Sequence, residues 1–326
     1  IWEISWAVQS GSIKIGAMGS MATSAQAATC FIIMGDSGTG KVEQYRVANA
    51  MVQTCHDKRC DFVLGLGDNI YEYGPNSAVD AQFDAKFEKP FADLAIPFFM
   101  VQGNHDNSLL IPGDGGFNQK GFHEVEYTQH SSKWRMPARY YSFEAQNDSA
   151  LFIAFDSNPP NAYFPPLFNP YWWPNGTYVK AEKAWLDQTV AGSDSVWKFA
   201  FAHHPYMSNG HHMKDPLLQG HRPYNDLVKS SLCGKIDFIL SGHEHALEVL
   251  AAQDDECGQT VQLVSGAAAK NSGARGQNKY VADWDSFEKK WGYMHGYIDG
   301  NTFTLTSYVV DENGGITQAF VKTFSK

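Results

Sequence analysis

One pattern constrains this chain more than any other, and it is struck three times in the first hundred residues. A short apolar run stops at a glycine followed by a polar side chain. Residues 30–34 halt at Gly35-Asp36, residues 62–66 halt at Gly67-Asp68, and residues 97–101 lead to Gly103-Asn104. Apolar runs of this length bounded by glycine read as buried strands. Helical patterns lie between them. Residues 41–55 carry Val42, Tyr45, Val47, Ala48, Met51 and Val52 as one apolar stripe, and residues 77–87 form a predicted helix that includes Phe83 and Phe87. Strand, polar loop, helix and strand again is a βαβ rhythm, which implies a parallel sheet. In such sheets, sites form outside the carboxyl ends of the strands, where all three polar loops fall.

The second half repeats the pattern less regularly. Residues 106–140 read as long loops, and 141–143 with 151–155 as a hairpin. Residues 158–174 are dense in proline and aromatic side chains, which suits either a rim over a site or packing against the core. Residues 181–190 form a predicted amphipathic helix with Trp185 and Leu186 inward. A strand over 197–202 ends at His203, a helix covers 225–232, and a strand over 236–240 ends at Ser241-Gly242-His243. Residues 261–264, 292–298, 302–308 and 318–324 read as a run of antiparallel strands, with Asp299-Gly300 as a hairpin signal. The expectation is a single α/β (α+β) domain over 30–326 with two sheets and outer helices. Residues 1–29 read as a tag or processing remnant outside the fold, with surface packing as the alternative.

The net charge of −10 excludes a general nucleic-acid grip, which needs a basic face. It does not exclude a phosphate substrate, because bound cations supply local positive charge. No run of apolar residues is long enough to cross a membrane as a helix. Among five cysteines, Cys55 with Cys60 and Cys233 with Cys257 are candidate disulfides, leaving Cys30 in a core strand. Such bridges, with the sequons at Asn147 and Asn175, suit a secreted or periplasmic protein.

Seven side chains at the strand tips are candidate metal ligands: Asp36, Asp68, Tyr71, Asn104, His203, His243 and His245. Oxygen donors and imidazoles converging from several strand ends can hold two cations close together. Each motif alone is weak, since Gly-Asp after a strand is usually a turn. Their joint order, with helix-length spacing from Asp36 to His245, resembles the calcineurin-like metallophosphoesterases. Tyr71, three residues after Asp68, is similar to the tyrosine of the purple acid phosphatases, and the pattern looks like their small, single-domain type.

That resemblance implies a β-sandwich of two mixed sheets flanked by helices, with two metals. Ferric iron would take Asp36, Tyr71 and His245. A divalent ion (Fe²⁺, Zn²⁺ or Mn²⁺) would take Asn104, His203 and His243, with Asp68 bridging. Hard anionic donors do favour a trivalent cation, and imidazoles with an amide oxygen suit a divalent one. His203 rather than His204 matches the ligand position. His105 stands where the family faces the substrate phosphate, and His212, with His211 as the alternative, where it protonates the leaving group. Asp106 is expected to orient a histidine, while Asn107 and Asn209 are weaker candidates for substrate contact. The implied activity is hydrolysis of small phosphate monoesters by a metal-bound hydroxide at acid pH. A Mn²⁺- or Zn²⁺-dependent phosphodiesterase or nucleotidase is the alternative enzyme, and a phosphate-binding protein without turnover the alternative class.

Overall fold

The computed structural model describes residues 12–14, 28–145, 149–161, 169–214, 222–271 and 275–326. Among them, two mixed sheets stack face to face with helices outside. The first sheet runs, in spatial order, Ser12–Lys14, Tyr141–Glu144, Ala150–Ala154, Trp197–Phe201, Phe238–Ser241, Val261–Ser265, Leu247–Leu250 and Ala282–Ser286. The second runs Ile316–Ser325, Thr302–Val310, Trp291–Asp299, Thr29–Met34, Phe62–Leu66, Phe98–Val101 and Trp134–Arg135. The three early strands are parallel neighbours, as their rhythm predicts. Ser12–Lys14 pairs in parallel with Tyr141–Glu144 at the edge of the first sheet.

The space between the sheets is filled largely by phenylalanine. Phe31 stands edge-on to Phe152, with centroids 5.1 Å apart, and Phe199 meets Phe303 the same way at 5.0 Å. Phe62 is edge-on to both Phe143 and Phe152 at 5.5 and 5.2 Å. Such edge-to-face pairs add to the burial of large apolar surface. The interior is therefore stiff, and the strand tips that emerge from it are fixed in position.

The helix Val42–Lys58 packs on the antiparallel strands Trp291–Asp299 and Thr302–Val310 through Val47, Ala48, Ala50, Met51 and Thr54. Val42 and Tyr45 fall off its buried face and are exposed, because the stripe begins one turn later than the sequence suggests. The predicted helix at 77–87 is shorter and divided, with α geometry over Ala81–Phe83 and a wider π turn over Asp84–Glu88. Three of the four late strands do form an antiparallel meander, joined between Asp299 and Thr302 across Gly300. Val261–Ser265 does not join it. That strand lies in the other sheet, parallel to Phe238–Ser241. Strands at Leu247–Leu250 and Ala282–Ser286, unread in the sequence, complete that edge.

Both expected disulfides are present, Cys55–Cys60 and Cys233–Cys257, and Cys30 is a buried free thiol. Asn175 is exposed just before the helix Thr177–Ala191, whereas Asn147 lies outside the described residues. No helix among the described residues is long and apolar enough to cross a membrane.

Of the 158–174 segment, residues 162–168 lie outside the described residues. Asn158, Pro159, Pro160 and Trp172 are packed, whereas Trp173 is exposed. Trp172 is buried with Tyr140, Tyr178 and Val179 in a small cluster of its own. Arg139 sits over the Trp172 ring at 4.8 Å and pairs with Asp156 at 2.7 Å, both charges fully enclosed.

Candidate metal centre

All seven predicted ligands meet at one end of the sandwich. Asp36, Asp68, Tyr71 and Asn104 stand on loops that follow strands of the second sheet, while His203, His243 and His245 stand on loops that follow strands of the first. The backbone turns sharply at three of these departures. Asp36, Asp68 and His243 have φ of 59°, 54° and 67°, a left-handed conformation that side-chain-bearing residues adopt rarely. Strain of this kind gathers at functional sites, where surrounding structure holds it in place. The preceding glycines are needed for closeness as well as for turning. A Cβ on Gly103 would lie 2.2 Å from Asp68 Oδ1, and one on Gly242 would lie 2.4 Å from Asp36 Oδ2.

The donor atoms fall into two triangles. In the first, the Tyr71 hydroxyl lies 3.0 Å from Asp36 Oδ1 and 3.3 Å from His245 Nε2, and the last two atoms are 3.3 Å apart. In the second, Asn104 Oδ1 lies 2.7 Å from His203 Nε2 and 3.2 Å from His243 Nδ1, and the two ring nitrogens are 3.2 Å apart. Asp68 lies between them. Its charge bears on the Tyr71 phenol, and its Oδ1 is 3.5 Å from His203 Nε2. Ligands about 2.0–2.2 Å from one cation and at right angles to each other stand about 3 Å apart. Both triangles have that size, so the residues present fit two cations with a shared carboxylate.

Further contacts fix the orientation of these side chains. His203 holds the Leu66 carbonyl with Nδ1 at 2.8 Å, which turns Nε2 to the cluster. The amide of Asn104 donates through Nδ2 to the Gly113 carbonyl at 2.7 Å, leaving Oδ1 facing inward. Electrostatics match a cation site as well. Burial, with Asp36 and Asp68 beside it, pushes the Tyr71 phenol well above its usual range. Burial also works against charge on Asp68, but His203 and His105 outweigh it and hold that carboxyl at about 2. A cation placed among these groups would relieve the crowding of negative charge.

Three more histidines frame the opening. His105 donates its backbone N–H to Asp68 Oδ1 at 2.9 Å, and its ring Nδ1 meets the Glu72 carbonyl at 2.8 Å. The His212 ring lies 4.7 Å from His243 and 5.4 Å from His245, with Nε2 buried and unpartnered. Burial and the neighbouring His211 and His245 lower its pKa to about 3. The His211 ring lies against it, tilted, with centroids 3.9 Å apart, and is half-exposed. Of the two candidates, His212 is thus the one that faces the cluster. His204 also lies close to the cluster, its ring 4.7 Å from that of His243 and its nitrogens near enough to join His203 and His243 around a cation, while its Nδ1 meets Ser157 Oγ at 2.9 Å.

Several expectations change. Asp106 does not orient a histidine. Its carboxylate accepts the backbone N–H groups of Asn69, Ile70 and Gly103 at 2.7–2.9 Å, tying two ligand loops together. Asn107 and Asn209 are likewise braces rather than substrate contacts: Asn107 bonds Gln102 and Gly103, and Asn209 bonds Tyr280. Glu244, between the two ligand histidines, went unassigned in the sequence. It accepts the backbone N–H groups of His212 and Met213 at 3.1 and 2.9 Å and so holds the His212 loop. A carboxylate buried between two ligands was the available signal.

The sequence profile of the calcineurin-like phosphoesterases matches residues 31–247, two thirds of the chain. The chain belongs to that family. Its curated relatives include purple acid phosphatase 7 of Arabidopsis thaliana, 28% identical over 282 residues, 84% of this chain and 77% of that one. Tartrate-resistant acid phosphatase type 5 of Sus scrofa is 24% identical, covering 76% and 74% of the two chains. The phosphoesterase fold also superposes on GAP50 of Plasmodium, described as the anchor in the inner membrane complex. The TM-score is 0.69 at 17% identity, over 92% of this chain and 89% of that one. A dimetal phosphatase from Danio rerio superposes with a TM-score of 0.53 at 13% identity, over 91% and 98%. This phosphoesterase therefore carries the two-sheet fold and the purple acid phosphatase resemblance that its motifs led one to expect.

Proposed function

We propose that the protein is a secreted or periplasmic acid phosphatase that hydrolyses small phosphate monoesters at a dinuclear centre of Fe³⁺ with a divalent metal. The single observation that carries this reading is the Tyr71 hydroxyl at the apex of a triangle with Asp36 and His245. Two carboxylates and a phenol make a hard, anionic donor set that suits Fe³⁺, and Asn104, His203 and His243 suit Fe²⁺, Zn²⁺ or Mn²⁺. When bound, such a pair neutralises charge on phosphoryl oxygens and acidifies water.

The chain's own groups do the rest. His105 stands at the rim beside Asp68 and is assigned to a phosphate oxygen. His212 presents an unpartnered Nε2 toward the cluster and is assigned to the leaving oxygen, to which it hands a proton, with His211 or His105 as alternatives. The negative charge of a bound phosphate favours the protonated ring. Glu244 keeps that ring in place through the backbone it holds. Both disulfides suit export into an oxidising compartment.

The test is the visible spectrum of the iron-loaded protein together with turnover of an aryl phosphate at acid pH. A broad band between roughly 500 and 600 nm, absent from Tyr71→Phe, is the expected signature of a phenolate on ferric iron. An active, metal-replete protein with no such band would overturn the iron–tyrosine reading. It would move the assignment to a Mn²⁺ or Zn²⁺ enzyme, with phosphodiesters as the next substrates.

A further inference from the structure

Tyr71 has a neighbour that the proposed mechanism does not use. The ammonium of Lys270 lies 4.2 Å from the centre of the Tyr71 ring. It also pairs with Glu72 Oε1 at 3.3 Å. Glu72 Oε2 in turn lies 3.6 Å from His105 Nδ1, and the His105 ring is 4.4 Å from the Tyr71 ring. A lysine, a glutamate and a histidine thus surround the edge of one buried phenol.

A cation over an aromatic face is attracted by the ring's electrons, and the attraction grows as water is removed. Tyr71 is buried, and the Lys270 side chain is largely covered. Neither Lys270 nor Glu72 contributes a donor atom to either ligand triangle, so their charges can be changed without touching a ligand.

We propose that Lys270 is a positioning residue that tunes the electron density of the Tyr71 phenolate, with Glu72 as its counterweight. The inference rests on the ferric–tyrosinate reading above. The colour of such a site comes from moving an electron from the ring to the iron. A positive charge nearer the ring than the iron stabilises the electron where it starts, which raises the energy of the transition. Lys270 therefore holds the absorption band at shorter wavelength, and Glu72 partly offsets it.

The experiment compares the visible spectra of iron-loaded wild type, Lys270→Met, Lys270→Arg and Glu72→Gln. Lys270→Met should move the band to longer wavelength by up to tens of nanometres, the order given by one unit charge at this distance and an effective dielectric of about 20. Lys270→Arg keeps the charge and should restore most of the position. Glu72→Gln should move the band the opposite way, to shorter wavelength. Opposite signs distinguish charge from loosened packing, which would disturb both variants alike. If the wild type shows a band lost in Tyr71→Phe, yet Lys270→Met and Glu72→Gln leave its position unchanged, the tuning role falls while the function stands. If both variants shift the band in one direction, the role also falls. If the wild type has no band, the ferric–tyrosinate reading itself fails and takes this inference with it.

Discussion

A single carboxylate, Asp106, carries three backbone hydrogen bonds from two separate ligand loops. Removing it leaves buried N–H groups on Asn69, Ile70 and Gly103 without an acceptor. Unsatisfied buried groups cost about 1–3 kcal/mol each, with partial relief as the loops relax. We expect Asp106→Ala to lower the unfolding free energy of the metal-stripped protein by about 2–4 kcal/mol. Asp106→Asn, which keeps one acceptor oxygen, should cost roughly half as much; urea titrations of the three proteins would measure the difference. Asp106 could be singled out from the sequence, but not its partners. The Gly-Asn-His-Asp run puts a carboxylate beside a histidine, and only the fold reveals that it turns back to the Asp68 loop. The ligands themselves were legible for the opposite reason. Each lies within a few residues of the end of a strand, so local order alone places it at a tip.

At the scale of elements, the strand-and-helix rhythm of the first hundred residues was readable because parallel strands buried on both faces are continuous apolar runs. The last third was harder. Val261–Ser265 resembles its meander neighbours in composition, yet it pairs with Phe238–Ser241. Nothing within a strand announces which sheet it will join. The segment ending in Trp172 shows a related difficulty. Its aromatic residues suit a rim as well as a core, and what places Trp172 in the core is Arg139, 33 residues before it. That guanidinium pairs with Asp156 at 2.7 Å and lies over Trp172. Breaking a buried ion pair from one side typically costs about 3–5 kcal/mol, because the remaining charge is stranded. Arg139→Met should show a loss of that size in denaturant unfolding. It should also speed hydrogen exchange at the Trp172 amide, which is bonded to Asn169 within the same segment.

For the molecule as a whole, pH acts through acids enclosed in the interior. Burial raises the Glu248 carboxyl from its ordinary 4.5 to about 7, against the hydrogen bonds it accepts from Ser208 and Asn209. The folded chain thus keeps a proton that the unfolded chain has released. Stability contributed by this group is complete below pH about 4.5 and is lost as the pH rises through about 7. Its full size is on the order of 3 kcal/mol. Across thermal unfolding of the metal-free proteins from pH 5 to 8, the stability of the wild type relative to Glu248→Gln should therefore fall as the pH rises. Equal slopes in the two proteins would assign the pH dependence to other groups.

The first and last of the converging side chains, Asp36 and His245, are separated by most of the chain, and the first four donors come from one sheet and the last three from the other. This arrangement has a consequence during biosynthesis. A growing chain that has emerged only as far as the third early strand already displays Asp36, Asp68 and Tyr71, yet it lacks every imidazole of the two triangles. Neither triangle can close until the loop that carries His243 and His245 has left the ribosome and its sheet has docked. Tight metal capture is thus deferred until the last ligand strand is in place, and an abandoned or truncated product is left without a complete site.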